Sequence, residues 1–372
     1  MDKIEMIVNQ LPAPTWNRLR MNESRVAVAV PKDECEPRVA LQGSVCLNKQ
    51  QSARIPGKNC CGCEQMATCP VSGIDFAAMP TGMGEAMTQL GEGKRIHLVA
   101  DAGKSTAAVT LRYADGQECY NRLEIEAKPG SELTVFMTYI STASAKGMAA
   151  VQTKIAAAKD AKVKLVQVQL LGRDFVHLND VGSDLAAGAS FEVLQLQLGG
   201  TQIYNGVRAE LTGEGANFDA AIAYYGRHGQ RIDMNFIANH HGKKTTCNMT
   251  ADGVLQQGAF KLYRGTIDFK NGSAGALGDE KETVLLLSDD VVNQSIPLIL
   301  CSEEDVQGNH GASIGKLDED LLFYMMSRGF SESDAIDMMA KAKIEGLCRR
   351  IEDEETVQLV ERYLEGVIAD GE

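Results

Sequence analysis

The chain has 372 residues, 37 Lys plus Arg against 50 Asp plus Glu for a formal charge of −13, ten Cys, 36 Gly and one Trp. Its 44% hydrophobic and 23% charged content is that of an ordinary folded protein, which excludes wholesale disorder, collagen and coiled-coil filament. The acid excess argues against broad nucleic-acid or anionic-membrane binding, and no apolar run of 18 residues offers a transmembrane helix.

Residues 1–10 lack a basic stretch followed by a continuous apolar one, so no secretory signal is read and a cytoplasmic location is expected. In that reducing compartment the cysteines are expected as thiols, metal ligands or core residues. Ile4, Met6, Ile7, Leu11 and Leu19, interrupted by Pro12 and Pro14, suggest a short helix, a break, and a second short helix from Trp16. Residues 31–93 read as irregular or partly helical. Within them stands Cys60-Cys61-Gly62-Cys63, followed by Cys69. Four thiols in ten residues can ligate zinc or an iron–sulfur cluster, although adjacent cysteines rarely face one metal and the spacing fits no ferredoxin run. Packed or incidental thiols are the alternative. A first segment is therefore placed at residues 1–95.

From about Ile96 to Cys301 short strand-like runs recur, among them Ala107–Tyr113, Leu123–Glu126, Leu133–Thr138, Val163–Leu171, Phe191–Leu198, Ala220–Tyr225 and Thr283–Leu287. In Val163–Leu170 and Phe191–Leu198 the apolar residues are assigned to one face and Lys or Gln to the other. A turn of the form Gly/Asp, small, polar, apolar starts at Gly130, Asp160, Gly188 and Gly215, at spacings of 30, 28 and 27. A period of this size points to stacked units, and no amphipathic helix separates the strands. A β-helix is preferred over an antiparallel sandwich, as a core over residues 96–315.

Candidate chemistry within the core is sparse. Gly103-Lys104-Ser105-Thr106 ends like a phosphate loop, but Leu98 stands where the motif needs Gly, and nucleotide binding there is excluded. His240 and His241, with His228, are weighed as metal ligands against a structural turn, and His177 and His97 as structural or exposed. His310, flanked by Gly308 and Gly311 with Cys301 and several carboxylates nearby, sits where strands give way to helices and can ligate metal or move protons.

Residues 316–372 read as helical. Asp318 can cap a helix through Leu321, Leu322 and Met325 that Gly329 stops. Ser331-x-x-Asp334 starts a second, and Val357, Val360 and Leu364 stripe a third. With 7 basic and 15 acidic residues, this tail holds −8 of the −13. It can cover a solenoid end or dock a basic partner.

Phe260-Lys261-Leu262-Tyr263-Arg264-Gly265, then Leu285-Leu286-Leu287-Ser288, Pro297, Glu304-Asp305-Val306, His310-Gly311-Ala312, Leu322-Phe323-Tyr324 and Ser327-Arg328-Gly329-Phe330 resemble in order and spacing the SufB/SufD core of the SUF iron–sulfur assembly system. Leu11-Pro12-Ala13-Pro14-Thr15-Trp16-Asn17 resembles the start of its SufD branch. The resemblance implies a right-handed parallel β-helix with helical N-terminal and C-terminal segments, acting as a scaffold and not as an enzyme. It implies a SufB-like partner, a SufC-like ATPase docked on the C-terminal helices around Leu322, Phe323, Tyr324, Arg328 and Gly329, and no intrinsic cofactor. His310 matches a histidine at the subunit interface where a transient iron–sulfur cluster forms. SufB-like chains have Glu at that point and a functional Cys upstream. Here the upstream place falls near Ile296, so SufD is favoured and Cys301 is a weak substitute. The alternatives are a stand-alone metalloprotein using Cys60, Cys61, Cys63 and Cys69, and a β-helical carbohydrate-active enzyme, disfavoured by 5% aromatic content.

Overall fold

The computed structural model describes residues 3–47, 73–316 and 319–369. The chain opens with an antiparallel pair, β1 (Lys3–Val8) and β2 (Ser24–Ala29). This corrects the helical segment expected at the N-terminus. Met6, Val8, Val26 and Val28 are buried at alternate positions, so a period of two decides here and not 3.6. The helix expected from Trp16 is a single 3-10 turn, Asn17–Leu19, after which Arg20 adopts the left-handed region at φ 54°. Within residues 31–93, β3 (Arg38–Leu47) is a strand and Ala86–Leu90 a 3-10 turn.

The solenoid begins with β4 (Lys94–Arg112) and continues through β5 (Glu118–Ala127), β6 (Ser131–Ile140), β7 (Lys146–Ala157), β8 (Lys162–Leu170), β9 (Asp174–Leu185), β10 (Ser190–Gln197), β11 (Gln202–Leu211) and β12 (Asn217–Gly226). It ends with β13 (Arg231–His240), β14 (Thr246–Leu255), β15 (Phe260–Phe269), β16 (Ala276–Leu286), β17 (Val292–Cys301) and β18 (Val306–Lys316). Strands pair two apart and in parallel. Odd strands β5 to β17 make one ladder and even strands β6 to β18 the other. Long β4 joins them, with Lys94–Ala100 on β5 and Gly103–Arg112 on β6, while β3 lies antiparallel on β4.

The sequence repeat is one corner of this solenoid. Gly130, Asp160, Gly188 and Gly215 all have φ between +58° and +70°. Each donates its amide to a carbonyl of the following turn, at 3.1, 3.0, 3.0 and 2.9 Å, and Lys244 and Gly275 continue the column. The small residue after each turn start is buried: Ser131, Ala161, Ala189 and Ala216. Gly215 has open space where a methyl would go, so Gly215→Ala tests the backbone alone. It should cost roughly 1–2 kcal/mol, the left-handed penalty of an L residue, as read by urea unfolding; no change would mean the corner relaxes freely.

Side-chain alternation has a different meaning from the one expected. In β8 and β10, Val163, Leu165, Phe191 and Val193 fill the lumen. Val166, Val168, Leu170, Leu194, Leu196 and Leu198 face outward, and they too are buried. Both faces are apolar because both are covered. The glutamines are internal: Gln167, Gln195, Asn179 and Asn205 bond one another across the two ladders at 2.6–3.2 Å. Mutual bonding of this kind lowers the cost of burying an amide.

The outer face of the odd ladder is covered by β1, β2 and Met83–Leu90. The even ladder is covered by the C-terminal helices α2 (Glu332–Cys348) and α3 (Glu354–Ala369), through Ala340, Ile344, Cys348, Ile351, Val360 and Leu364. These two helices lie along a flank of the solenoid and not over its end. They follow α1 (Glu319–Ser327), which Gly329 terminates at φ +97°. Ser331 Oγ accepts the Asp334 amide at 3.1 Å, the cap that starts α2. Asp318 lies outside the described residues.

Candidate functional site at the open end of the solenoid

β17 and β18 close the two ladders, and no described residue pairs with their outer edges. Most of β18 is exposed. His310 sits in this strand as the register partner of Glu280. Cys301 ends β17, exposed, with its thiol donating to the Glu303 carbonyl at 3.0 Å. Both residues therefore stand on the terminal turn, on opposite ladders. Among the described residues, no three His, Cys, Asp or Glu side chains gather closely enough to hold a metal ion. Among the described residues, the end supplies single donors.

Beneath it the lumen turns ionic. Lys261 on β15 is fully buried, and its ammonium bonds the Glu282 carboxylate, the Gln294 carbonyl at 3.1 Å and Ser295 Oγ at 3.0 Å. Ser295 also donates to Glu282. Burial pulls Lys261 below the usual lysine value, opposed by the charge of Glu282. Glu280 is 5% exposed; burial, and next the Glu282 charge, push its carboxyl up to about 8. Gly265 faces Glu280 across the lumen, where a Cβ would overlap the carboxylate. The sequence motif holding Lys261 and Gly265 is thus explained by the acids opposite it. Its Arg264 points outward, buried, and bonds Asp233 Oδ1 at 2.7 Å and the Met21 carbonyl at 2.7 Å. None of these partners is legible in the sequence, because they come from strands up to 34 residues apart and from the N-terminal arm. The one available signal was charge at lumen positions of otherwise apolar strands.

Ile296 faces outward and is fully buried with Leu11, Met21 and Leu262. Ile296, near which the resemblance puts the thiol of a SufB-like chain, is thus covered by the N-terminal arm. On α1, Phe323 is 74% exposed and Tyr324 52%, with the Arg328 guanidinium 5.0 Å above the Tyr324 ring. Leu322 is half-buried.

The other candidates disperse. Cys60, Cys61, Cys63 and Cys69 lie outside the described residues. Gly103-Lys104-Ser105 runs inside β4, not between a strand and a helix, as the failed motif required. His240 faces the lumen, 3.3 Å from Cys247 Sγ and tilted on Phe269, whereas His241 faces out to Glu210 at 2.6 Å. Adjacent residues on opposite faces of a strand cannot share a metal. Burial pulls His240 and His177 down to about 4, so both are neutral core groups. His228 bonds the Gln257 carbonyl and His97 packs edge-on to Phe76.

Residues 110–343 match the family model described as SUF system FeS cluster assembly, SufBD core domain. The chain is 25% identical over 264 residues to the iron–sulfur cluster assembly protein SufD of Bacillus subtilis, covering 70% of this chain and 59% of that protein. It is 25% identical over 211 residues to a SufBD family protein of Mycobacterium leprae, covering 56% of this chain and 24% of the relative. A Staphylococcus haemolyticus SufBD family protein is 26% identical over 214 residues, covering 56% and 46%. The chain thus spans less than two thirds of the length of each. With a family match over most of the solenoid, and with the parallel fold and open end that the shared motifs build, this chain belongs to the SufBD core family of the SUF iron–sulfur cluster assembly system.

Proposed function

We propose that the chain is a SufD-like scaffold subunit, without catalytic turnover of its own, that works in the cytoplasm with a SufB-like subunit and a SufC-like ATPase. The observation that carries this is the exposed terminal turn bearing His310, whose outer edges no described residue pairs. An open strand edge is a template for pairing, and a soluble protein keeps one where a partner covers it. Here the SufB-like subunit would cover it, and the iron–sulfur cluster, as cargo, would form between the two chains. Neutral imidazole can ligate iron, so His310 would give one nitrogen while partner thiolates supply the softer donors. Exposed Phe323 and Tyr324 on α1 offer the ATPase an aromatic anchor of the kind that dominates interfaces. ATP chemistry would lie wholly in that partner.

In co-expression with both partners, His310→Ala should leave the assembly intact and lower the iron and sulfide recovered per complex. Unchanged recovery would remove His310 from the mechanism. Phe323→Asp should weaken capture of the ATPase roughly 30-fold in Kd, for an anchor worth about 2 kcal/mol, without moving the Tm. Capture at wild-type affinity would refute the docking assignment.

A further inference from the structure

Glu280 is a buried acid that the lumen leaves unused. Glu282 is occupied by Lys261 and Ser295, and the three donors of Lys261 go to Glu282, the Gln294 carbonyl and Ser295. Glu280 Oε2, by contrast, has no hydrogen-bond partner among the described residues. The Tyr263 hydroxyl, on the facing strand, also lacks one among them and makes no bond to it. Yet the carboxyl is held on purpose, since Gly265 leaves room for it. A buried acceptor without a partner costs about 1–3 kcal/mol, so its retention asks for a reason.

The reason lies one rung away. Glu280 and His310 are register partners on β16 and β18. Register partners in a parallel ladder stand about 4.8 Å apart with side chains on the same face. His310 is the residue with which the Glu280 column ends. An imidazole that serves as a ligand through one nitrogen is commonly fixed by a carboxylate on the other. We propose that Glu280 is a positioning residue for His310: its carboxyl, which lies against Gly265, turns to bond the inward ring nitrogen, fixes the tautomer and presents the other nitrogen at the open end. This rests on the reading of His310 as the interface donor, but it concerns the isolated chain and is tested there.

The test is nitrogen NMR on the full chain with 15N-labelled histidine, at a pH about two units above the ordinary imidazole value of ~6.5. His310→Ala identifies the His310 signals. The wild type should show one tautomer, with two well-separated ring-nitrogen shifts. Glu280→Leu should bring those shifts together as the ring averages, and Glu280→Gln, which keeps a hydrogen-bonding group, should preserve them. Glu280→Met, unbranched, replaces the leucine variant if that does not fold. An averaged ring in the wild type, signals unmoved in the apolar variant, or averaging in Glu280→Gln each overturns the proposal. No partner or cluster enters these spectra, so the result stands apart from the assembly experiments.

Discussion

Asp233→Ala should cost about 3–5 kcal/mol, the penalty for leaving a buried charge without its partner. Arg264 and Asp233 are both fully buried, and their 2.7 Å bond is the centre of a larger knot. Asp233 also accepts from Asn9 Nδ2 at 2.7 Å and from the Ser24 hydroxyl. Arg264 reaches the Met21 carbonyl and Ser24 Oγ at 3.4 Å. One ion pair on β13 and β15 therefore ties down both ends of the loop between β1 and β2. Without Asp233 the buried guanidinium keeps only the Met21 carbonyl and Ser24 Oγ and has no counter-charge, and the loop that packs Leu11 and Met21 over Ile296 loses its anchor. Denaturant unfolding should show the loss, and limited proteolysis should cut within residues 9–24. The double variant Asp233→Leu with Arg264→Met should recover most of the stability, because an apolar pair carries no stranded charge. A cost of Asp233→Ala below about 1 kcal/mol would show that water reaches the arginine.

Removing residues 317–372 should leave the chain insoluble. The even ladder would expose Phe136, Val166, Val168, Leu170, Leu194, Leu196, Leu198 and Tyr225 together. Burying a large apolar side chain contributes roughly 1.5–3 kcal/mol, so eight of them amount to something on the order of 10 kcal/mol, comparable with the whole stability of a domain. Polar anchors go as well, since Arg350 bonds Glu192 at 3.0 Å and Asp219 at 3.3 Å, and Tyr363 donates to the Leu171 carbonyl at 3.1 Å. Soluble yield and dye binding to exposed apolar surface measure the outcome. A soluble, unchanged solenoid would mean that α2 and α3 are detachable. The consequence for function is practical: truncation cannot test partner docking here, and substitutions on α1 can.

Much of the solenoid was written locally. The Gly/Asp turn recurs because each corner needs a left-handed residue followed by one small enough to be buried, and both demands act on neighbouring residues. The cap at Ser331 and the stop at Gly329 were legible for the same reason. What failed was whatever depends on distant cover. Val166 and Val168 do not share a face with Val163, because a strand with two covered faces does not show the simple alternation of a half-buried one. The apolar residues from Ile4 onward fit either period until the odd ladder supplies a flat surface to cover. In the site, His310 stood out through its flanking glycines and its motif. The acids beneath it did not, since Glu280 and Glu282 look like surface charges until Lys261 and Gly265 arrive opposite them from β15.

If the open end and α1 are interfaces of an assembly, co-expression of this chain with a SufB-type subunit and a SufC-type ATPase, followed by size exclusion, should give one peak containing all three chains. Iron and sulfide should stay with that peak under anaerobic conditions. Elution of this chain alone, with the other two associated without it, would mean that neither surface is an interface of such an assembly.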